Sequence, residues 1–127
     1  MTSAPAASAE PSADEVVVRD LGRAEYAASW AAMRRFTEQR HAGTVDEIWL
    51  LEHPPVYTLG LNDRNEPFAN PDNIPVVHSD RGGQITYHGP GQLIAYTLID
   101  LRRRGWGVKA LVRALEQSVI DLLAARG

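Results

Sequence analysis

The chain has 127 residues, 44% of them hydrophobic and 23% charged, with a formal net charge of −3. That length suits one domain with a modest core, and the mildly acidic balance argues against a dedicated nucleic-acid binder, which carries a basic surplus. No apolar run approaches the roughly 20 residues that span a bilayer, no signal peptide is legible, and the lack of cysteine excludes disulfides and cysteine-held metal.

Residues 1–14 are rich in Ala, Ser and Pro without periodicity, which reads as a disordered tail ahead of one domain over 15–127. The tail has neither Arg nor Lys, which disfavours a mitochondrial presequence and leaves the cytoplasm as the expected location. Val16-Val17-Val18-Arg19-Asp20 predicts a first strand, with Leu21-Gly22 breaking it. From about Ala24 to Gln39, Tyr26, Trp30, Met33 and Phe36 recur at helical spacing, so an amphipathic helix is expected to lay that stripe on a sheet. His41-Ala42-Gly43 closes it.

Asp46 to Glu52 predicts a central strand, stopped by His53-Pro54-Pro55 because proline cannot donate to a ladder. Val56 to Leu59 resumes as a short strand. Gly60 to Asn73 is long, polar and turn-rich, and is expected to cover a site. Ile74 to Ser79 predicts a further strand, whose Pro75 favours an edge or a strand start.

The densest stretch follows: Arg81-Gly82-Gly83-Gln84-Ile85-Thr86-Tyr87-His88-Gly89-Pro90-Gly91-Gln92. Glycine lacks Cβ, so Gly82-Gly83 lets main-chain N–H groups approach a ligand. Strand alternation puts Ile85 and Tyr87 inward and Gln84, Thr86 and His88 on a polar face. Gly89-Pro90-Gly91 is a turn signal, and Gln92 to Ile99 reads as the return strand of a hairpin. Arg102 to Gly107 is a basic turn, and Lys109 to Ala125 a helix with Leu111, Val112, Leu115, Val119, Leu122 and Leu123 on one face. The order β-α-β-β-β-β-β-α predicts an α/β fold, a mixed sheet with flanking helices, mixed because of the hairpin.

Arg81-Gly82-Gly83, Thr86-Tyr87-His88, Gly91-Gln92 and Tyr96 together resemble the signature of the lipoyl(octanoyl) transferases. Glu52, His53 and Pro55 to Thr58 are similar to a second stretch of that family. The resemblance covers nearly everything after the tail. It implies the N-terminal part of the catalytic fold shared by biotin and lipoate protein ligases. It also implies transfer of octanoyl from octanoyl-acyl-carrier protein to a lysine of lipoyl domains, those of 2-oxoacid dehydrogenases or the glycine cleavage H protein. No cofactor, metal, nucleic acid or membrane is expected.

By the same resemblance, Arg81, Gly82, Gly83, Gln84, Ile85, Thr86, Tyr87 and His88 line the octanoyl and thioester pocket. The family's cysteine nucleophile and its lysine lie in motifs C-terminal to this signature, and neither motif occurs here. No catalytic residue is therefore expected in this chain, which is expected to be inactive alone. An ATP-dependent lipoate-protein ligase and a non-catalytic acyl-binding remnant are the rival readings. The first usually has an acidic residue after the histidine, where this chain has Gly89-Pro90-Gly91.

Several residues keep two readings. Arg81 either walls the pocket or pairs with Asp80 or Asp100. His53 either borders the pocket or is a locally bonded turn histidine, and Tyr96 either packs or donates. Arg102-Arg103-Arg104 either meets an acidic carrier protein or is a solvated connector. Lys109 does not match the catalytic position, and Thr86 and His88 project in parallel, a poor geometry for a nucleophile and its base. The four histidines are too scattered for a metal site.

Overall fold

The β-branched run at the start of the domain pairs as soon as it has a neighbour. In a computed structural model describing residues 15–61, 68–80 and 82–127, β1 (Val16–Arg23) lies parallel to β2 (Asp46–Glu52). Helix α1 (Tyr26–Glu38) is the crossover that parallel pairing requires. Leu21-Gly22 does not end β1. The register shifts between Asp20 and Gly22, Gly22 adopts φ +63°, and its N–H donates to Asp20 Oδ1 at 3.1 Å. The strand absorbs the glycine as a bulge and runs on to Arg23.

On α1, Phe36 meets Trp49 edge-on at 6.0 Å and Tyr26 faces the end of β2. Trp30 is half-buried like Tyr26, Met33 and Phe36, with the Arg34 guanidinium 5.1 Å from its ring centre. The buried apolar core is small and centred on β2 and β3 (Val56–Leu59), with Trp49, Leu51, Val56 and Leu59 enclosed.

Among the described residues the strands form two mixed three-stranded sheets rather than one sheet. The first has the order β1-β2-β6, with β6 (Ile94–Leu98) antiparallel to β2. The second has the order β4-β3-β5, with β4 (Val76–His78) parallel and β5 (Thr86–His88) antiparallel to β3. Pro54-Pro55 carries the chain from the first sheet to the second, which is the redirection that two residues without ladder donors impose. Pro75 precedes the edge strand β4, as expected.

The hairpin expected around Gly89-Pro90-Gly91 does not form, because β5 and β6 belong to different sheets. The turn itself is real. Gln92 N–H donates to the Gly89 carbonyl at 3.1 Å and Gly91 has φ +91°, the bond and glycine placement of a type II turn with proline at its second position. Tyr87 also departs from the alternation argument. It is 46% exposed, resting against Tyr57 at 5.5 Å at the sheet edge.

Past β6, α2 (Leu101–Arg104) is capped at both ends. Asp100 Oδ1 accepts the Arg103 N–H at 3.1 Å. Gly105, at φ +69°, and Trp106 return their N–H groups to the Arg102 and Leu101 carbonyls, a Schellman closure. Helix α3 (Val108–Arg126) follows. Leu111, Ala114 and Leu115 border an apolar groove of about 250 Å³ against Val16, Ile48, Thr97 and Ile99. Val112, Val119, Leu122 and Leu123 are exposed.

One carboxylate ties these elements together. Asp46, at the start of β2, has no exposed surface and receives Arg40 at 3.0 Å, Arg103 at 2.8 Å and Arg104 at 3.0 Å. The Asp100 backbone N–H adds a further bond at 2.9 Å. Arg40 also donates to the Leu98 carbonyl, Arg103 to that of Thr44, and Arg104 to that of Glu15. Arg103 and Arg104 are thus neither a solvated connector nor a free docking patch, since their side chains are 9% and 10% exposed. Arg102 alone of the three stays exposed.

Burial by itself would raise the Asp46 pKa, but the Asp100 N–H and the Arg104, Arg40 and Arg103 guanidiniums outweigh it and hold the carboxyl below its usual range. Asp46→Ala strands three arginines and is expected to cost about 3–5 kcal/mol. The check is the urea midpoint, which falls at unchanged slope; an unmoved midpoint refutes the node. Because the folded carboxyl titrates below its unfolded value of about 3.9, its contribution is complete above that pH and vanishes as pH drops through the folded pKa. Acid titrations of stability are expected to be steeper for the parent than for Asp46→Ala below about pH 4. Equal slopes would contradict it.

Candidate functional site

His53 directly follows the last residue of β2 and is completely buried. Its Nδ1 lies 2.6 Å from the Ala24 carbonyl oxygen and its Nε2 lies 2.7 Å from the Tyr96 hydroxyl. A carbonyl oxygen can only accept, so Nδ1 carries the hydrogen and donates. In the neutral ring Nε2 is then the acceptor, and Tyr96 donates its phenolic hydrogen. Burial, with a smaller contribution from Tyr26, pushes the Tyr96 phenol up to about 12, so it keeps its proton in neutral solution.

Three rings surround this imidazole. Tyr26 from the start of α1 meets it edge-on at 5.3 Å, Tyr96 from β6 is tilted at 5.8 Å, and His88 from β5 meets it at 6.4 Å. The cluster therefore draws on both sheets and the helix. His88 Nδ1 lies 2.7 Å from Gln92 Oε1, so the imidazole donates to the amide oxygen across the Gly-Pro-Gly turn. Its Nε2 has no hydrogen-bond partner among the described residues. Glu52 clamps the same turn, its Oε1 accepting the Gly91 N–H at 2.8 Å.

Gly89 is buried at the foot of this turn because a side chain has nowhere to go. A Cβ there would stand 2.8 Å from Cζ of Tyr87, against the phenol. Tyr57 continues the aromatic contact, with Tyr87 on one side and Phe68 at 5.1 Å on the other. The Asn70 side chain pins the stretch that follows Phe68 by bonding both backbone groups of Ile74, at 2.9 and 3.0 Å.

Of the residues expected to line a pocket, Arg81 lies outside the described residues, as do 62–67 of the expected cover. Gly82, Gly83 and Gln84 are exposed ahead of β5; a Cβ on Gly82 would meet nothing, and Gly83 adopts φ +96°. Ile85 is half-buried, and the Thr86 hydroxyl donates to the Gln84 carbonyl at 3.1 Å. Of the described ones, only His88 is drawn into the buried cluster. A cleft of about 530 Å³ opens nearby, shares Glu52 with the turn clamp, and is bounded by Gly22, Leu50 and Leu93 rather than by residues 82–88.

The sequence reading missed Tyr26, assigned to the helix stripe, and the joint roles of Glu52, Gln92 and Tyr96. The signal for Tyr26 was its place in the first helical turn, facing the strand end where His53 sits. His53 proves to be bonded to residues far along the chain rather than within its own turn. Tyr96 both packs and donates.

The fold and this cluster can be set beside known proteins. Residues 25–127 match the family described as the lipoyl protein ligase A/B catalytic domain. An octanoyltransferase of Thiobacillus denitrificans is 64% identical over 110 residues, covering 87% of this chain and 50% of the relative. One of Halorhodospira halophila is 59% identical over 114 residues, 90% of this chain and 52% of the relative. Another, of Alkalilimnicola ehrlichii, is 56% identical over 113 residues, 89% and 53% respectively. The chain spans about half the length of the curated relatives it matches.

Gly89→Ala is expected to push Tyr87 off Tyr57 and to cost about 1–3 kcal/mol, as overpacking does. Thermal melting and the near-ultraviolet circular dichroism of the tyrosines check this. A variant with the parental melt and spectrum would mean that the ring moves aside freely.

Proposed function

The chain belongs to the lipoyl protein ligase A/B catalytic domain family, and from that premise we propose that it carries the substrate-holding half of an octanoyltransferase. The donor is octanoyl-acyl-carrier protein and the acceptor a lysine of a lipoyl domain, as in 2-oxoacid dehydrogenases or the glycine cleavage H protein. In the transfer a thioester C–S bond breaks, an amide C–N bond forms, and the lysine's proton leaves with the carrier thiol. The site of action is the cytoplasm. The described residues contain no helix long and apolar enough to cross a membrane.

The observation that carries this reading is the juxtaposition of His88 and the Gly89–Gln92 turn with His53 and Tyr96, on a chain 56–64% identical to three octanoyltransferases. Residues 82–88 are assigned to the fatty thioester: Gly82 and Gly83 for close approach of the main chain, Ile85 and Tyr87 for apolar contact, Gln84, Thr86 and His88 for polar contact. Arg81 is assigned to the pocket wall. The 127 residues contain no cysteine that could form an acyl-enzyme, so this reading assigns them the holding of the substrate and not the attack.

The test compares the 127-residue chain with the full-length gene product in transfer of octanoyl from its carrier-protein thioester to a lipoyl domain. The full-length protein is expected to transfer and the shorter chain to show no turnover. Equal rates would overturn the division of labour. Transfer dependent on ATP and free lipoate would replace the reading with that of a ligase.

A further inference from the structure

Two adjacent residues at the end of β2 hold the same turn by different means. Glu52 reaches it directly through the Gly91 N–H at 2.8 Å. His53 reaches it through its neighbours, bonded to Tyr96 at 2.7 Å and set ring-to-ring against His88 at 6.4 Å. The His53 imidazole is closed to a ligand, since it is fully buried with both nitrogens engaged. The Ala24 carbonyl fixes its tautomer and Tyr26 stacks on its edge, so its orientation is determined from three sides. A buried histidine with that many constraints is a rigid part against which a second ring can be set.

We propose that Glu52 and His53, with Tyr96, are positioning residues that fix the His88 imidazole and the Gly89–Gln92 turn against the acyl thioester. This rests on the octanoyltransferase reading for what the site acts on, but not for the coupling itself. His53, fully buried, is closed to the substrate, and Glu52 acts on the turn through the Gly91 N–H. Glu52 fixes the height of the turn by one backbone bond. His53 fixes the wall behind His88, and Gln92, held within the turn, sets the rotation of the His88 ring by accepting from its Nδ1. Small displacements at such a site cost rate without weakening binding, because a near-attack geometry is lost while the contacts survive.

The experiment uses the full-length protein. Tyr96→Phe removes only the hydroxyl, and His53→Asn keeps a donor near the Ala24 carbonyl while losing Tyr96. Each is expected to lower kcat about ten- to a hundredfold with KM little changed. The double variant is expected to be no worse than the poorer single one, since both break the same bond. Glu52→Ala should show the same split, and Glu52→Gln, whose amide oxygen still accepts from Gly91, should recover most of the loss. The imidazole resonances of His88 in histidine-labelled protein should shift in Tyr96→Phe.

Losses confined to KM, or additive losses that track the melting temperature, would reduce these residues to ordinary core and overturn the proposal. If the parent protein transfers no octanoyl, the functional reading falls on its own. The His88 resonances then decide the coupling, a shift supporting it and an unmoved signal refuting it.

Discussion

The fold depends on a single carboxylate. Asp46 gathers the end of α1 through Arg40, the end of β6 through Asp100, and α2 through Arg103 and Arg104. Each arginine also donates to a backbone carbonyl, so the node organises main chain as well as charge. A carboxylate wholly out of water is costly unless paired and bonded on both oxygens, and this one is. With so small an apolar core, the node replaces part of what burial supplies in a larger domain.

From the other end of β2 the same logic positions the site. Asp46 anchors the strand where it begins; Glu52 and His53 use its exit, where Pro54-Pro55 forbids further pairing. The exit delivers two polar side chains to the turn that links the sheets. The candidate functional residues therefore sit where regular structure stops but is still rigid, a common compromise between precision and access. His53 is the fixed element, and His88 the one whose second nitrogen remains available among the described residues.

Most elements were legible in the sequence because their signals are local. The β-branched run, the 3.6-residue stripe, the proline stops and the terminal helix are each set within a dozen residues. What escaped was non-local. Strand alternation assigned Tyr87 to the interior, but alternation says nothing about whether the sheet face it chooses is covered. Gly89-Pro90-Gly91 read as a hairpin because a turn signal does not reveal whether the flanking strands pair with each other. Arg103 and Arg104 looked like surface charge because their partner lies 57 and 58 positions upstream. For the site, the glycine pair and His88 were visible as a motif, whereas Tyr26 and Tyr96 became members only once both sheets met at His53.

The link between β5 and β6 is five residues long and joins strands of different sheets. A surface connection usually tolerates an extra residue, since its ends close at little entropic cost. This one does not have that freedom. An insertion between Gly89 and Leu93 would leave both sheets intact yet let them drift apart, carrying one imidazole away from the other. Homologous chains should accordingly vary elsewhere in loop size while keeping this span constant, a rule about indels imposed by geometry rather than by any single side chain.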